Sequence, residues 1–161
     1  MTTGAPATIM IVDDSYDDLE LVSAALQRIP GFQFNVQTAG DGVRALERLK
    51  SAAADDTMPD LALVDLKMPR MDGRTFAEHV KATPELVGVP VLILSTSSRA
   101  EDVRSCYEAG CNAYYQKPLE FHELVSLLEA IVAHWCSQVL LLHTYDDATI
   151  SHRSGSHLPP M

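Results

Sequence analysis

Positive charge is scarce in this chain: 12 lysines and arginines stand against 22 aspartates and glutamates, a formal net charge of −10. That deficit argues against a nucleic-acid partner, because binding a phosphate backbone relies on a basic face. Cysteine is scarce too. Cys106, Cys111 and Cys136 make an odd count with no metal-ligand spacing, which points to reduced, buried or half-exposed thiols. No apolar run approaches the roughly 20 residues needed to cross a bilayer. The first seven residues, Met-Thr-Thr-Gly-Ala-Pro-Ala, lack the charged start and apolar core of a signal peptide. A cytoplasmic protein with no membrane partner is expected.

What the 161 residues do hold is 47% hydrophobic side chains, enough for one well-buried domain. Short β-type runs alternate with helical-period segments five times. Thr8 to Val12 is followed by a helix with Leu19, Val22, Leu26 and Ile29 inward, which Ser15 is placed to cap and Pro30-Gly31 stops. Phe32 to Thr38 reads as a weaker alternating strand, and Val43, Leu46 and Leu49 mark the next helix. Ser51 to Pro59 reads as a polar loop before the strand Leu61 to Asp65. A helix from Arg74 to Ala82 is broken by Thr83-Pro84. Pro90 opens the fourth strand. A helix from Ala100 to Ala109 ends at Gly110, and a fifth strand reaches Lys117 before a last helix near Leu119. Continuous apolar strands alternating with helices imply a parallel sheet covered on both faces. Right-handed crossovers then bring every strand's C-terminal end to one edge.

That edge is where the chemistry collects. Ile9-Met10-Ile11-Val12 ends in Asp13-Asp14, Leu61-Ala62-Leu63-Val64 in Asp65, Val91-Leu92-Ile93-Leu94 in Ser95-Thr96, and the fifth strand in Lys117-Pro118. Open α/β sheets place their sites at such ends. Three crowded carboxylates repel one another and resist joint ionisation. A hard divalent cation such as Mg²⁺, which takes oxygen ligands, resolves that repulsion and would cancel charge that repels a phosphoryl group. Asp65 is then the plausible nucleophile toward phosphorus, with Lys117 and the Ser95 hydroxyl placed to stabilise phosphoryl oxygens.

Over roughly residues 8 to 133 these motifs resemble the receiver domain of two-component response regulators. The resemblance implies a flavodoxin-like (βα)5 fold, a doubly wound parallel five-stranded sheet in the order 2-1-3-4-5 with an extended C-terminal helix. It matches Asp13-Asp14 to the acidic pair and Asp65, followed by Met68-Pro69 and Asp72-Gly73, to the phosphoacceptor. It matches Ser95 to the switch hydroxyl, with Thr96 competing, and Tyr114 to the switch aromatic. Lys117-Pro118 matches the lysine with its cis-proline-type turn. Mg²⁺ ligands implied are Asp14, Asp65 and the backbone carbonyl of Lys67, with Asp13 acting through a bound water. Lys67 departs from the short polar residue of the chemotaxis receiver, and a long cation there implies slower self-dephosphorylation. The implied partner is a sensor histidine kinase. The reaction is limited to the chain's own phosphorylation and dephosphorylation, and output comes through protein contacts or a phosphate-sink role.

Alternatives are an aspartate-nucleophile phosphatase, which generally carries a second acid where Lys67 stands, and a non-phosphorylated pseudo-receiver. His79, His122, His134 and His143 read as solvated helix residues, and Asp17 and Asp18 as first-turn acids favoured by the helix dipole. Phe121, Leu124, Leu128 and Ile131 form a stripe facing the sheet. Trp135, Val139 and Leu142 continue it beyond ordinary receiver length, and a domain of this size is not expected to bury them. Such exposed apolar surface marks an interface, so a two-fold homodimer through this helix is expected. The extension also resembles stand-alone receivers linked to phytochrome and similar kinases. The organisation expected is a leader over 1–7, a receiver domain over 8–133, a helix extension over 134–144 and a flexible tail over 145–161.

Overall fold

Strands whose side chains are apolar on both faces fold only where both faces are covered, and the five parallel strands here meet that condition. The structure, a computed structural model, describes residues 5–137. In chain order the elements are β1 (Ala7–Val12), α1 (Tyr16–Gln27), β2 (Phe34–Ala39), α2 (Gly42–Asp55), β3 (Leu61–Val64), α3 (Gly73–Ala82), β4 (Val91–Ser95), α4 (Ala100–Glu108), β5 (Ala113–Gln116) and α5 (Phe121–Trp135). The sheet order is β2-β1-β3-β4-β5, all parallel, as expected.

Alternation along each strand divides the core into two layers. Met10, Val12, Ala62, Val64 and Ile93 pack under α2, α3 and α4 with Leu49, Phe76 and Val80. Ile9, Ile11, Leu61, Leu63 and Leu92 pack under α1 and α5 with Leu26, Leu124, Leu128 and Ile131. Pairing of Val12 with Val64, Val64 with Ile93 and Ser95 with Gln116 aligns the strand ends at one edge. Among the described residues, no helix is long and apolar enough to cross a membrane.

The structure corrects several boundaries. β2 begins at Phe34, not Phe32, and the two rings stack at 5.9 Å beside the strand. The segment read as a loop from Ser51 continues α2 to Asp55, because its alanines favour the helix; a left-handed Asp56 (φ 56°) ends it. Val43 is exposed, one turn out of phase with the inward Leu46 and Leu49. The last helix starts at Phe121 rather than Leu119, since a residue before proline is driven to extended backbone and the chain must then turn. Leu119 is 93% exposed, and Phe121 lies at the helix's exposed start rather than on its packed stripe. The Lys117–Pro118 peptide is trans; a prolyl amide distinguishes the isomers by only about 0.5–1 kcal/mol, so sequence alone does not fix the choice. Trp135 is half-buried by its own fold: it packs against the α1–α5 layer, and its Nε1 donates to the Tyr115 hydroxyl at 3.3 Å. The domain therefore does cover part of this ring, through Tyr115 of the edge strand. Val139, Leu142 and His143, with residues 1–4 of the leader and the 145–161 tail, lie outside the described residues.

Gly73 ties the fold to the strand-end site. A Cβ there would lie 2.5 Å from the backbone oxygen of Asp65, which cannot move aside as a flexible side chain could. Gly40 has open space around it. Gly73→Ala is therefore expected to lower stability by about 1–3 kcal/mol in chemical denaturation, while Gly40→Ala stays near wild type. Equal stability of the two variants would contradict this account.

Candidate functional site

Each site residue leaves the sheet one or two positions after its strand's last apolar side chain. β1 delivers Asp13 and Asp14, β3 delivers Asp65, β4 ends on Ser95, and Lys117 follows β5. The Asp65 N–H still donates to the Val12 carbonyl at 2.8 Å, and the Lys117 N–H donates to the Ser95 carbonyl at 2.7 Å, so the ladder holds these residues in register. Carboxylate oxygens of Asp13, Asp14 and Asp65 lie within 4.8 Å of one another. Sequence reasoning expected this convergence, and the fold provides it.

Burial differs across the trio. Asp13 is buried, Asp65 half-buried and Asp14 exposed. Burial, followed by the charge of Asp13, pushes the Asp65 carboxyl up to about 6, while Lys117 and the Leu66 N–H (2.9 Å) oppose the rise. Burial likewise raises Asp13, although its Oδ1 accepts the Ser15 N–H at 2.9 Å and its Oδ2 accepts Lys117 Nζ at 3.2 Å. Burial alone would lower the Lys117 ammonium; Asp13, Asp65 and Asp18 outweigh it and leave its pKa above the ordinary value. One ammonium thus faces several carboxylates, and the set carries net negative charge.

That donor set fits a hard divalent cation. The carboxylates supply oxygen only, and their repulsion is relieved by a charge of +2 better than by one lysine. Lys67, whose carbonyl completes the ligand set implied by the family resemblance, follows Asp65 by two residues with its side chain in solvent.

Ser95 is 2% exposed and its Oγ accepts the Ser97 N–H at 3.2 Å, whereas Thr96 is exposed; burial favours Ser95 as the hydroxyl facing the site. Tyr114 and Tyr115 fall on opposite faces as alternation requires. Tyr114 packs on the α2–α4 layer and its hydroxyl donates to the Ser97 carbonyl at 2.8 Å. Ser97 also donates its own hydroxyl to Asp102 of α4. Ser97, which sequence reasoning passed over, is the junction between Ser95, Tyr114 and α4.

Asp18 also belongs to this edge. Its carboxylate lies 3.5 Å from Lys117 Nζ, a second anchor for the ammonium in addition to its place in the first turn of α1. The acidic first turn of α1 was the available signal, since it faces the edge onto which Lys117 emerges. His79, His122 and His134 are exposed. Cys106 and Cys111 are buried thiols raised to about 11, mainly by burial, and Cys136 is raised to about 12. Thiols held so far toward the protonated form are poor nucleophiles.

Comparison with known proteins agrees with this geometry. The family model of the response regulator receiver domain matches residues 9–129. The response regulator Rcp1 of Synechocystis sp. is 30% identical over 138 residues, covering 84% of this chain and 93% of that protein. The probable methanogenesis regulatory protein FilR2 of Methanothrix harundinacea is 31% identical over 131 residues, covering 81% and 84%. The solved structure of the phosphorylated cyanobacterial phytochrome response regulator RcpA matches with a TM-score of 0.77 at 31% identity, covering 86% of this chain and 99% of that one. The Mn²⁺-bound form of Rcp1 matches with a TM-score of 0.69 at 30% identity, covering 84% and 99%. Sequence, fold and the chemistry gathered at the strand ends agree, and the chain belongs to the response regulator receiver domain family, whose members signal through phosphorylation.

Proposed function

We propose that this chain is a response regulator that accepts a phosphoryl group on Asp65 from the phosphohistidine of a sensor histidine kinase. The observation that carries the reading is the packing of Asp65 with Asp13, Asp14 and the buried Lys117 at one sheet edge. In the transfer, a carboxylate oxygen of Asp65 forms a bond to phosphorus as the phosphorus–nitrogen bond of the donor breaks, and the electron pair leaves with the imidazole. Asp14, Asp65 and the Lys67 carbonyl would hold Mg²⁺, with Asp13 acting through a water. The bound cation would supply positive charge to the transferring oxygens. Lys117 is held by Asp13 and Asp18 so that its ammonium faces the same space, and Ser95 offers its hydroxyl.

Ser95 and Tyr114 form the switch. Both are hydrogen-bonded to Ser97, so drawing Ser95 toward a phosphoryl group breaks its bond to the Ser97 N–H and shifts the carbonyl that Tyr114 holds. That shift reaches α4 through Asp102. Local charge thereby biases a two-state element, and output follows through contacts of the remodelled face or as a phosphate sink. The exposed Lys67 side chain, two residues after Asp65, is suited to pair with the acyl phosphate and slow its hydrolysis. Likeness to RcpA supports a phytochrome-type kinase as the donor. The apolar continuation Trp135, Val139 and Leu142 supports a homodimer, with the outer part of Trp135 at the contact.

Incubation with a small-molecule phosphodonor and Mg²⁺ is expected to add one acid-labile phosphoryl group, seen by intact mass, and Asp65→Asn to abolish it. Lys67→Ala should lose the group faster than wild type; slower loss would remove the shielding role. Asp65 binds its proton more tightly in the folded state than in the unfolded one, so metal-free stability declines as pH rises from about 4 to about 6 and stays lower above. Asp65→Asn should therefore raise metal-free stability at pH 7.5 by about 1–2 kcal/mol and flatten the pH dependence in that window. Stabilisation by Mg²⁺ should be present at pH 7.5 and shrink as pH falls through about 6. In sedimentation, Trp135→Glu should shift a dimer toward monomer; a monomeric wild type would exclude the dimer.

A further inference from the structure

The loop between β3 and α3 contains a residue in the left-handed region: Arg70, with φ 66°. A side chain there crowds its own backbone, so the conformation persists only where surroundings hold it. Arg70 Nη2 donates to Asp41 Oδ2 at 2.9 Å. Asp41 is the N-cap of α2 and is 2% exposed; its other oxygen accepts the Arg44 N–H at 2.8 Å, and Arg44 Nε stands 3.7 Å from Oδ2. The capping hydrogen bond first, then the two guanidinium groups, hold the carboxyl below the usual carboxylate range, so it is ionised at neutral pH. Met71, next in sequence, packs on Gly42, next after Asp41: a Cβ at Gly42 would lie 2.9 Å from Met71 Cγ. Two consecutive loop residues therefore seat on two consecutive residues at the start of α2. The loop's base is closed by Gly73 N–H to Leu66 O at 2.8 Å, and its far turn by Met71 N–H to Pro69 O at 2.7 Å. Lys67 lies inside this closed segment.

We propose that Asp41 and Arg70 are positioning residues whose ion pair latches this loop to α2 and so fixes the Lys67 carbonyl for the divalent cation. The inference rests on the reading that Asp14, Asp65 and that carbonyl form the metal site. Asp41 is the fixed half of the latch, immobilised by burial and by capping. Arg70 is the mobile half, its side chain largely in solvent except where it meets Asp41. Without the pair, the left-handed turn keeps only the Met71 packing and its local hydrogen bond, and the carbonyl must be reordered each time a cation binds. Mg²⁺ demands near-ideal octahedral geometry whereas Ca²⁺ accepts irregular sites, so the latch matters more for Mg²⁺.

Calorimetric titration of Mg²⁺ and Ca²⁺ into the full-length protein tests this with Asp41→Asn, Arg70→Gln and the double variant. Asparagine caps a helix about as well as aspartate, so Asp41→Asn keeps α2 while removing the charge. Each single change should weaken Mg²⁺ binding about 10-fold, in the range seen when outer partners of a metal site are removed. Ca²⁺ binding should weaken less, and the double variant should be no worse than either single one. A purely electrostatic influence would give opposite signs, since Arg70→Gln removes a positive charge and Asp41→Asn a negative one. Opposite signs, additive losses, equal losses for both cations, or unchanged Mg²⁺ affinity would each overturn the latch. Asp14→Asn serves as the control for the site. If it abolishes Mg²⁺ binding while the latch variants bind normally, only the latch falls; if it binds Mg²⁺ like wild type, the metal site and the latch fall together.

Discussion

Repulsion among carboxylates held close at a sheet edge is the constraint on which the rest of this structure depends. Asp13, Asp14 and Asp65 are forced together by strand register, and burial makes their mutual charge costly. The fold offsets this only in part. Lys117 is placed among them, a second acid, Asp18, secures the ammonium, and the remaining imbalance is left for a cation or a proton. A receiver that neutralised its own site completely would have no use for either. The unrelieved charge is what gives the site an appetite for a divalent metal and, through it, for a phosphoryl group.

The two core layers serve this edge by being rigid. Strand side chains alternate strictly between them, and the central strands β1, β3 and β4 are buried along almost their whole length. Such strands do not slip in register, because a one-residue slip would exchange the two layers. The connections past the strand ends then carry the polar groups: Asp13 and Asp14 after β1, Asp65 and Arg70 after β3, Ser97 after β4 and Lys117 after β5. Acids and hydrogen-bond donors alike are anchored by the strands that precede them.

Much of this was legible in the sequence, for a physical reason. Continuous apolar runs mark strands buried on both faces, and polar residues immediately after them mark the edge, so Asp13, Asp14, Asp65, Ser95 and Lys117 could be placed before any coordinates. Contacts between distant segments left no such trace. Nothing periodic in the chain pairs Asp41 with Arg70, and Asp18 reads equally well as a residue favoured by its helix dipole. Helix phase misled at Val43 and Phe121, because a single apolar residue in the first turn satisfies the spacing without facing the core. Trp135 is a different case. Its ring, beyond the usual packing stripe, is half-buried, in part by Tyr115, a neighbour on the edge strand that pattern alone cannot supply.

That last contact has a consequence for observing the molecule. Tyr114 and Tyr115 are adjacent on one short strand yet belong to opposite layers, one bonded to Ser97 and the other to the indole of the chain's single tryptophan. The strand is only four residues long, with the proposed switch residue Tyr114 on one face and the partner of the fluorophore on the other. A movement of β5 that displaced Tyr114 would also displace Tyr115 and its hydrogen bond to the indole. Indole emission depends on such bonds and on exposure to water, so Trp135 is placed to report movement of β5 from the layer opposite Tyr114.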